Sequence, residues 1–329
     1  MIRWLLPLVC LLNACLVSPD PALWRREAST SDLPDAAPLD RDVAAADQAQ
    51  DSPGDQLAPD TGPPRLGCSA PEIVGSSPPY PLYEVALRAD GLELIAKKSG
   101  QWYSTKRTAQ DQPFADWSTT ALLSGKQDPT FFEIKGIELA IVATSPGTGL
   151  PRVLELCTSP TTCNALTLKD KSGQTVTDDT DGPSVAVLPG GDLLMAHNIG
   201  PGGSGDGHVY LATPSDPNDL SQPWVTEPAT ALDRAGEAED DPALSPDGLV
   251  IVVDGNTSSG DNDLWVSMRP DLSSPFPAQV QLTDVNSSAD DGSAYLAPLS
   301  SSGGKTRYEL FFSSDRNGNL EVYRSECSW

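Results

Sequence analysis

Six aspartates recur at one place in a repeated pattern: Asp128, Asp181, Asp240, Asp241, Asp290 and Asp291 each stand just before a short apolar run. Converging carboxylates offer oxygen ligands to a hard cation such as Ca²⁺. They can also move protons at a glycosidic bond when unlike surroundings separate their pKa values. Alternatively each Asp caps a turn or bonds a neighbouring backbone, a device that repeats wherever the unit repeats. Equivalence of position favours this structural role. Asp315, Asn317 and Asn319 alternate like the start of a Ca²⁺ loop. No bidentate Glu follows at the far position, so turn chemistry accounts for them. His197 and His208 flank the Gly-rich stretch 200–207, which reads as a long hairpin connection rather than a metal or acid–base site. It lacks the Gly-Lys-Ser/Thr of a phosphate cradle, and no Ser sits in a hydrolase elbow.

The elements that would position these residues are short strands. Few stretches hold a 3.6-residue apolar period, while 31 Pro and 27 Gly supply many turns. The clearest unit runs from Glu239 through the Pro246-Asp247-Gly248 turn, the β-rich Leu249 to Val253, and Asp263 to Arg269, then closes with Pro275-Phe276 and Val280 to Leu282. Ser288 to Arg324 repeats this grammar, and looser copies begin at Leu82, Asp128 and Asp181. The Gly anchors at 91, 136, 191, 248 and 304 recur at the spacing of four-stranded propeller blades.

Glu239 to Arg269 and Ser313-Ser314-Asp315-Arg316-Asn317-Gly318-Asn319 resemble the TolB-type, WD-like β-propeller repeat. The resemblance implies an all-β propeller, and the countable units predict five four-stranded blades, with six as the alternative. The last unit stops after its third strand, so an N-terminal strand around Ala70 to Val74 is expected to complete it and remove an open sheet edge.

Cysteines bear on the same closure. Cys157 and Cys163 bracket a hairpin neck, which leaves Cys68 to pair with Cys327 across the ends of the body. Cys10 belongs to an apolar run too short to span a bilayer, and Leu12-Asn13-Ala14-Cys15 resembles a bacterial lipobox. Residues 1–14 therefore read as a lipoprotein signal, Cys15 as the lipidated residue, 15–67 as a disordered Ala/Asp/Pro-rich tether, and 68–329 as the propeller. An ordinary secretory signal is the alternative, and export follows from both. The Leu16 after Cys15 points to the outer membrane.

A formal net charge of −25 excludes nucleic acid and leaves the membrane reachable only through the lipid. Trp102, Trp117, Trp224, Trp265 and Phe276 are expected between blades, with any exposed subset a sugar platform. The expected function is a monomeric, non-catalytic envelope module whose propeller binds a protein or peptide; Ca²⁺ is the one cofactor considered. The alternative is a five-bladed glycosidase with carboxylates at the channel mouth.

Overall fold

The second strand of each repeat unit is a continuous apolar run, and side chains alternate across a strand, so such a run needs a partner on both faces. The computed structural model satisfies that need with a ring. It describes residues 65–75, 81–147, 150–200, 207–234, 237–256, 260–302 and 305–329. Cys15, the leader and nearly all of the tether lie outside them. Leu66 and Gly67, read as tether, are described with the body: Leu66 is buried and Gly67 begins a strand.

Two short N-terminal strands, β1 (Gly67–Cys68) and β2 (Glu72–Ile73), precede the blades. Blade 1 holds β3 (Tyr83–Leu87), β4 (Glu93–Lys98), β5 (Gln101–Lys106) and β6 (Ser118–Thr120). Blade 2 holds β7 (Gln127–Ile134), β8 (Ile137–Thr144), β9 (Val153–Ser159) and β10 (Thr162–Ala165). Next comes β11 (Leu168–Lys169), then blade 3 with β12 (Asp179–Val187), β13 (Leu193–Gly200), β14 (His208–Pro214) and β15 (Trp224–Pro228). Blade 4 holds β16 (Glu239–Leu244), β17 (Val250–Asn256), β18 (Asn262–Met268) and β19 (Val280–Gln281). Blade 5 holds β20 (Asp291–Ser302), β21 (Lys305–Ser314) and β22 (Glu321–Ser328). The fold is a five-bladed β-propeller, as the repeats predicted.

Alternation along the second strands distributes the core. Leu94 and Ala96 of β4 pack toward blade 5, and Ile95 between them packs toward blade 2. On β17, Val250 and Val252 face blade 5 while Ile251 and Val253 face blade 3. The same division on β8, β13 and β21 yields one apolar cluster between each pair of adjacent blades. Trp102, Trp224 and Phe276 are buried in these clusters, whereas Trp117 and Trp265 are half-buried at their margins.

The ring closes where the chain is not continuous. β1 and β2 both pair antiparallel with β22, giving blade 5 its outer strand. A disulfide joins Cys68 to Cys327, and a second joins Cys157 to Cys163 within the β9–β10 hairpin. Arg107 of blade 1 reaches Glu309 of blade 5 through Nη1 and Nη2 at 2.7 and 2.6 Å, in a site with both side chains buried. Blade 3 carries one strand beyond the expected four: β11 runs parallel to β15 on its outer edge.

Because the Cys68–Cys327 bond spans 259 residues of chain, Cys327→Ser should lower stability by roughly 2–5 kcal/mol. Denaturant unfolding of the oxidised wild type and the variant checks this; equal midpoints would mean that strand pairing alone secures the seam.

Candidate active site at the channel mouth

The innermost strand of every blade breaks its register at the same point. The breaks fall between Tyr83 and Ala86, Gln127 and Thr130, Asp181 and Ser184, Asp240 and Ala243, and Gly292 and Tyr295. One residue inside each break has positive φ: Glu84 (52°), Asp128 (44°), Gly182 (54°), Asp241 (40°) and Ser293 (51°). Four of these five are not glycine, and left-handed backbone is costly for such residues, more tolerable for Asp than for most. Pro follows in three blades, at Pro129, Pro183 and Pro242. These five residues line one small cavity of about 30 Å³ on the channel axis, room for about one water. A second cavity of about 200 Å³ opens beyond it and is lined by Arg88, Phe131 and Pro246 among others; Tyr295 borders both.

Three carboxylates therefore point into the mouth, from blades 1, 2 and 4. Glu84 is held by Lys97, whose Nζ donates to both carboxylate oxygens at 2.9 Å. Glu84 Oε2 also accepts the backbone N–H of Asp128 at 3.2 Å, which sets the two acidic residues side by side. Burial raises the Glu84 pKa, while Lys97 opposes the rise. Asp128 has no ion-pair partner among the described residues, and burial, together with repulsion from Glu84, pushes it up to about 8 against the pull of Lys97 and Arg152. Burial likewise raises Asp241 well above its ordinary value, with Asp254 and Asp240 adding repulsion. Asp241 Oδ2 accepts from Ser293 Oγ at 3.1 Å, and Ser293 N donates to Asp254 Oδ2 at 2.9 Å. Asp254 is itself pushed up to about 7, mainly by burial. Gly182 leaves space in blade 3: a Cβ there would come within 3.2 Å of Asp241 Oδ1 and of Pro242 Cδ.

Of the six aspartates singled out by sequence, Asp128 and Asp241 meet at the mouth. Asp181 is buried one residue short of it, ion-paired with Arg152, which also holds Asp179 at 2.8 Å. Asp240 stands at the rim and accepts from Asn198 Nδ2 at 2.6 Å. Asp290 is exposed and caps the backbone N–H of Asn262 at 2.9 Å. Asp291 is buried against Arg316 at 2.6 Å and Ser287. These are the turn-capping and blade-joining roles. Glu84 was not among the sequence candidates. The signal for it was its place three residues ahead of the Leu87 that ends the first inner strand, where other blades carry Asp-Pro.

Among the described residues, the group of ligand-bearing side chains within reach of one ion is His208, Asp233 and Glu239, away from the mouth. His197 is not part of it. That ring is buried, bonded through Nε2 to Thr226 Oγ1 at 2.9 Å, and its pKa is lowered to about 4 by desolvation.

No family model matches this chain, and no curated protein does. Solved structures do. An endo-arabinanase of glycoside hydrolase family 43 from Bacillus licheniformis superposes with a TM-score of 0.50 at 8% identity, covering 77% of this chain and 96% of that one. An endo-arabinase from Bacteroides thetaiotaomicron gives 0.44 at 15% identity, covering 75% and 96%. A structure assigned to TolB from Agrobacterium tumefaciens gives 0.41 at 14%, covering 74% and 81%. At these identities the likeness establishes the propeller fold.

A carboxyl held protonated by burial opposes folding as pH rises from its unfolded value toward its folded one. For Asp128 the window runs from its ordinary 3.8 to about 8, and for Asp254 from 3.8 to about 7. Stability should fall with pH across that span. Asp128→Asn should flatten the fall, gaining on the order of 1 kcal/mol or more at pH 8 over its effect at pH 5. Thermal midpoints of both proteins against pH decide it, and parallel curves would show that Asp128 ionises freely.

Proposed function

We propose that the channel mouth is the active site of a glycoside hydrolase. The observation that carries this reading is the unlike surroundings of two adjacent carboxyls. Glu84 is served by an ammonium on both oxygens, whereas Asp128 beside it is pushed up to about 8. Cleavage of a glycosidic bond needs such a pair: one carboxylic acid protonates the departing oxygen, and one carboxylate activates water or attacks the sugar. In this reading Asp128, pushed up to about 8, is the acid, and Glu84, held by Lys97, is assigned the role of the carboxylate. Asp241, whose pKa burial also raises, is the alternative donor across the mouth. The cavity itself accepts a water, so the sugar lies over the rim and presents its glycosidic oxygen to the acids from outside.

The expectation of a non-catalytic binding module is corrected by the structural neighbours. Many are propeller glycosidases, including a Cellvibrio cellulosa α-L-arabinanase and a Coprinopsis cinerea α-L-arabinofuranosidase. The argument for that module was that equivalent repeat positions give like environments. It fails on the geometry, since Glu84, Asp128 and Asp241 have different partners. The TolB-type resemblance is retained as a likeness of the last two repeats. Export on a lipidated Cys15 remains part of the proposal and places the enzyme at the cell envelope; Cys15→Ser should move the protein from the detergent phase to the aqueous phase on detergent partition.

The purified protein should release reducing sugar from linear arabinan or p-nitrophenol from its α-L-arabinofuranoside. Glu84→Gln and Asp128→Asn should each lower kcat by about a thousandfold or more while both variants stay folded. The rate should fall on the alkaline side as Asp128 loses its proton near pH 8. A wild type with no hydrolysis of arabinan, xylan or aryl glycosides from pH 5 to 8 would overturn the assignment.

A further inference from the structure

Between blades 3 and 4, outside the channel mouth, His208, Asp233 and Glu239 bring one imidazole nitrogen and two carboxylate oxygens within 4.8 Å of one another. Three different elements deliver them. His208 opens β14, paired opposite Ile199 of β13. Asp233 follows the turn at Leu232, whose N–H bonds Ala229 O at 2.8 Å. Glu239 opens β16, where Asn198 Nδ2 donates to its carbonyl at 2.7 Å and its own N–H reaches Gly207 O at 3.3 Å. The backbone thus fixes all three before any ligand arrives.

The distribution of hydrogen bonds around Glu239 is uneven. Its Oε1 accepts the backbone N–H of Arg234 at 2.7 Å and Nε2 of Gln279 at 3.4 Å. Its Oε2 is buried and has no hydrogen-bond partner among the described residues, although the side chain is fully enclosed. A buried carboxylate oxygen left bare costs free energy that a cation would recover. The Arg234 guanidinium does not fill that role. It lies over the Trp265 ring at 4.1 Å and pairs with Glu237, and its Nε stops 3.3 Å from the other oxygen of Glu239. Asp233, Glu237 and Glu239 gather three carboxyls around the one guanidinium of Arg234, where a divalent ion would add positive charge. A protonated His208 would answer Asp233, 3.3 Å away, and leave Oε2 unserved.

We infer that His208, Asp233 and Glu239 form a divalent metal site, with Zn²⁺ or a like transition ion bound by one nitrogen and two oxygens. One imidazole with two carboxylates suits such a borderline ion better than Ca²⁺, which asks for six or more oxygens. His208 and Asp233 are solvent-facing, so water or a ligand completes the coordination from outside. The ion would tie the β15–β16 linker to β14 and so join blades 3 and 4 at their rim. This site is separate from the carboxylates of the mouth and does not depend on the hydrolase reading.

Zn²⁺ titration of the purified full chain, followed by calorimetry and thermal unfolding, tests it. The expected result is one ion per chain and a raised unfolding midpoint. His208→Ala, a change at an exposed residue that leaves the fold alone, should weaken binding by roughly a hundredfold, and Asp233→Asn by a similar factor. Co²⁺ should give a visible spectrum that disappears in His208→Ala. Failure of the wild type to bind Zn²⁺ at micromolar concentration would overturn the site. So would equal binding by wild type and both variants, since the ion would then sit elsewhere.

Discussion

Everything in this molecule rests on a ring that has to close on itself. No blade can stand alone, because each second strand is apolar on both faces and each apolar cluster is shared by two blades. Four of the five junctions are made by blades in chain succession; the fifth packs blade 1 against blade 5, and the strands that precede blade 1 complete blade 5. Three kinds of interaction meet there. β1 and β2 pair with β22, a disulfide joins their ends, and buried Glu309 takes Arg107 from blade 1 and Arg324 from its own blade. A buried carboxylate between two guanidiniums is poorly stabilising against an apolar equivalent, yet it tolerates no misalignment.

The turns repeat for the same reason that the clusters do. Arg107 of blade 1 and Arg269 of blade 4 each donate through Nε to a turn glycine carbonyl, Gly91 and Gly248, both at 2.8 Å. Each guanidinium also lies over a Phe ring, Phe114 at 4.6 Å and Phe276 at 4.4 Å. Asp247 of the Pro-Asp-Gly turn accepts the Tyr308 hydroxyl of the next blade at 2.7 Å. The repeat signature is thus a set of contacts that fasten each turn within its blade, with Asp247 tying one blade to the next.

Legibility ran out where function depends on backbone conformation rather than residue type. Asp128 and Asp241 could be found, since an acid followed by Pro recurs in two blades and Gly182-Pro183 echoes it in a third. Glu84 and Ser293 hold the same place with other residues, and their positive φ and the register break around each reveal the equivalence. Asp181, Asp290 and Asp291 shared the acidic composition but sit one to three residues before that place, where Arg152, Asn262 and Arg316 take them up. β11 escaped notice because two residues in parallel pairing leave no periodicity to detect. The unlike surroundings of the mouth carboxylates were also invisible, since Lys97 reaches Glu84 from the next strand, and Asp254 and Ser293 approach Asp241 from β17 and the neighbouring blade.

The five left-handed residues have a consequence for how such a molecule changes over time. Their main-chain shape comes from the bulge that each inner strand carries, while the side chains differ from blade to blade. The mouth therefore works as a socket with five interchangeable slots, now filled by Glu, Asp, Gly, Asp and Ser. A single codon change in a slot adds, removes or moves a charge on the channel axis. Blade 3 marks the limit of that freedom: a side chain in place of Gly182 would press on Asp241, so one slot must stay empty for its neighbour to be acidic.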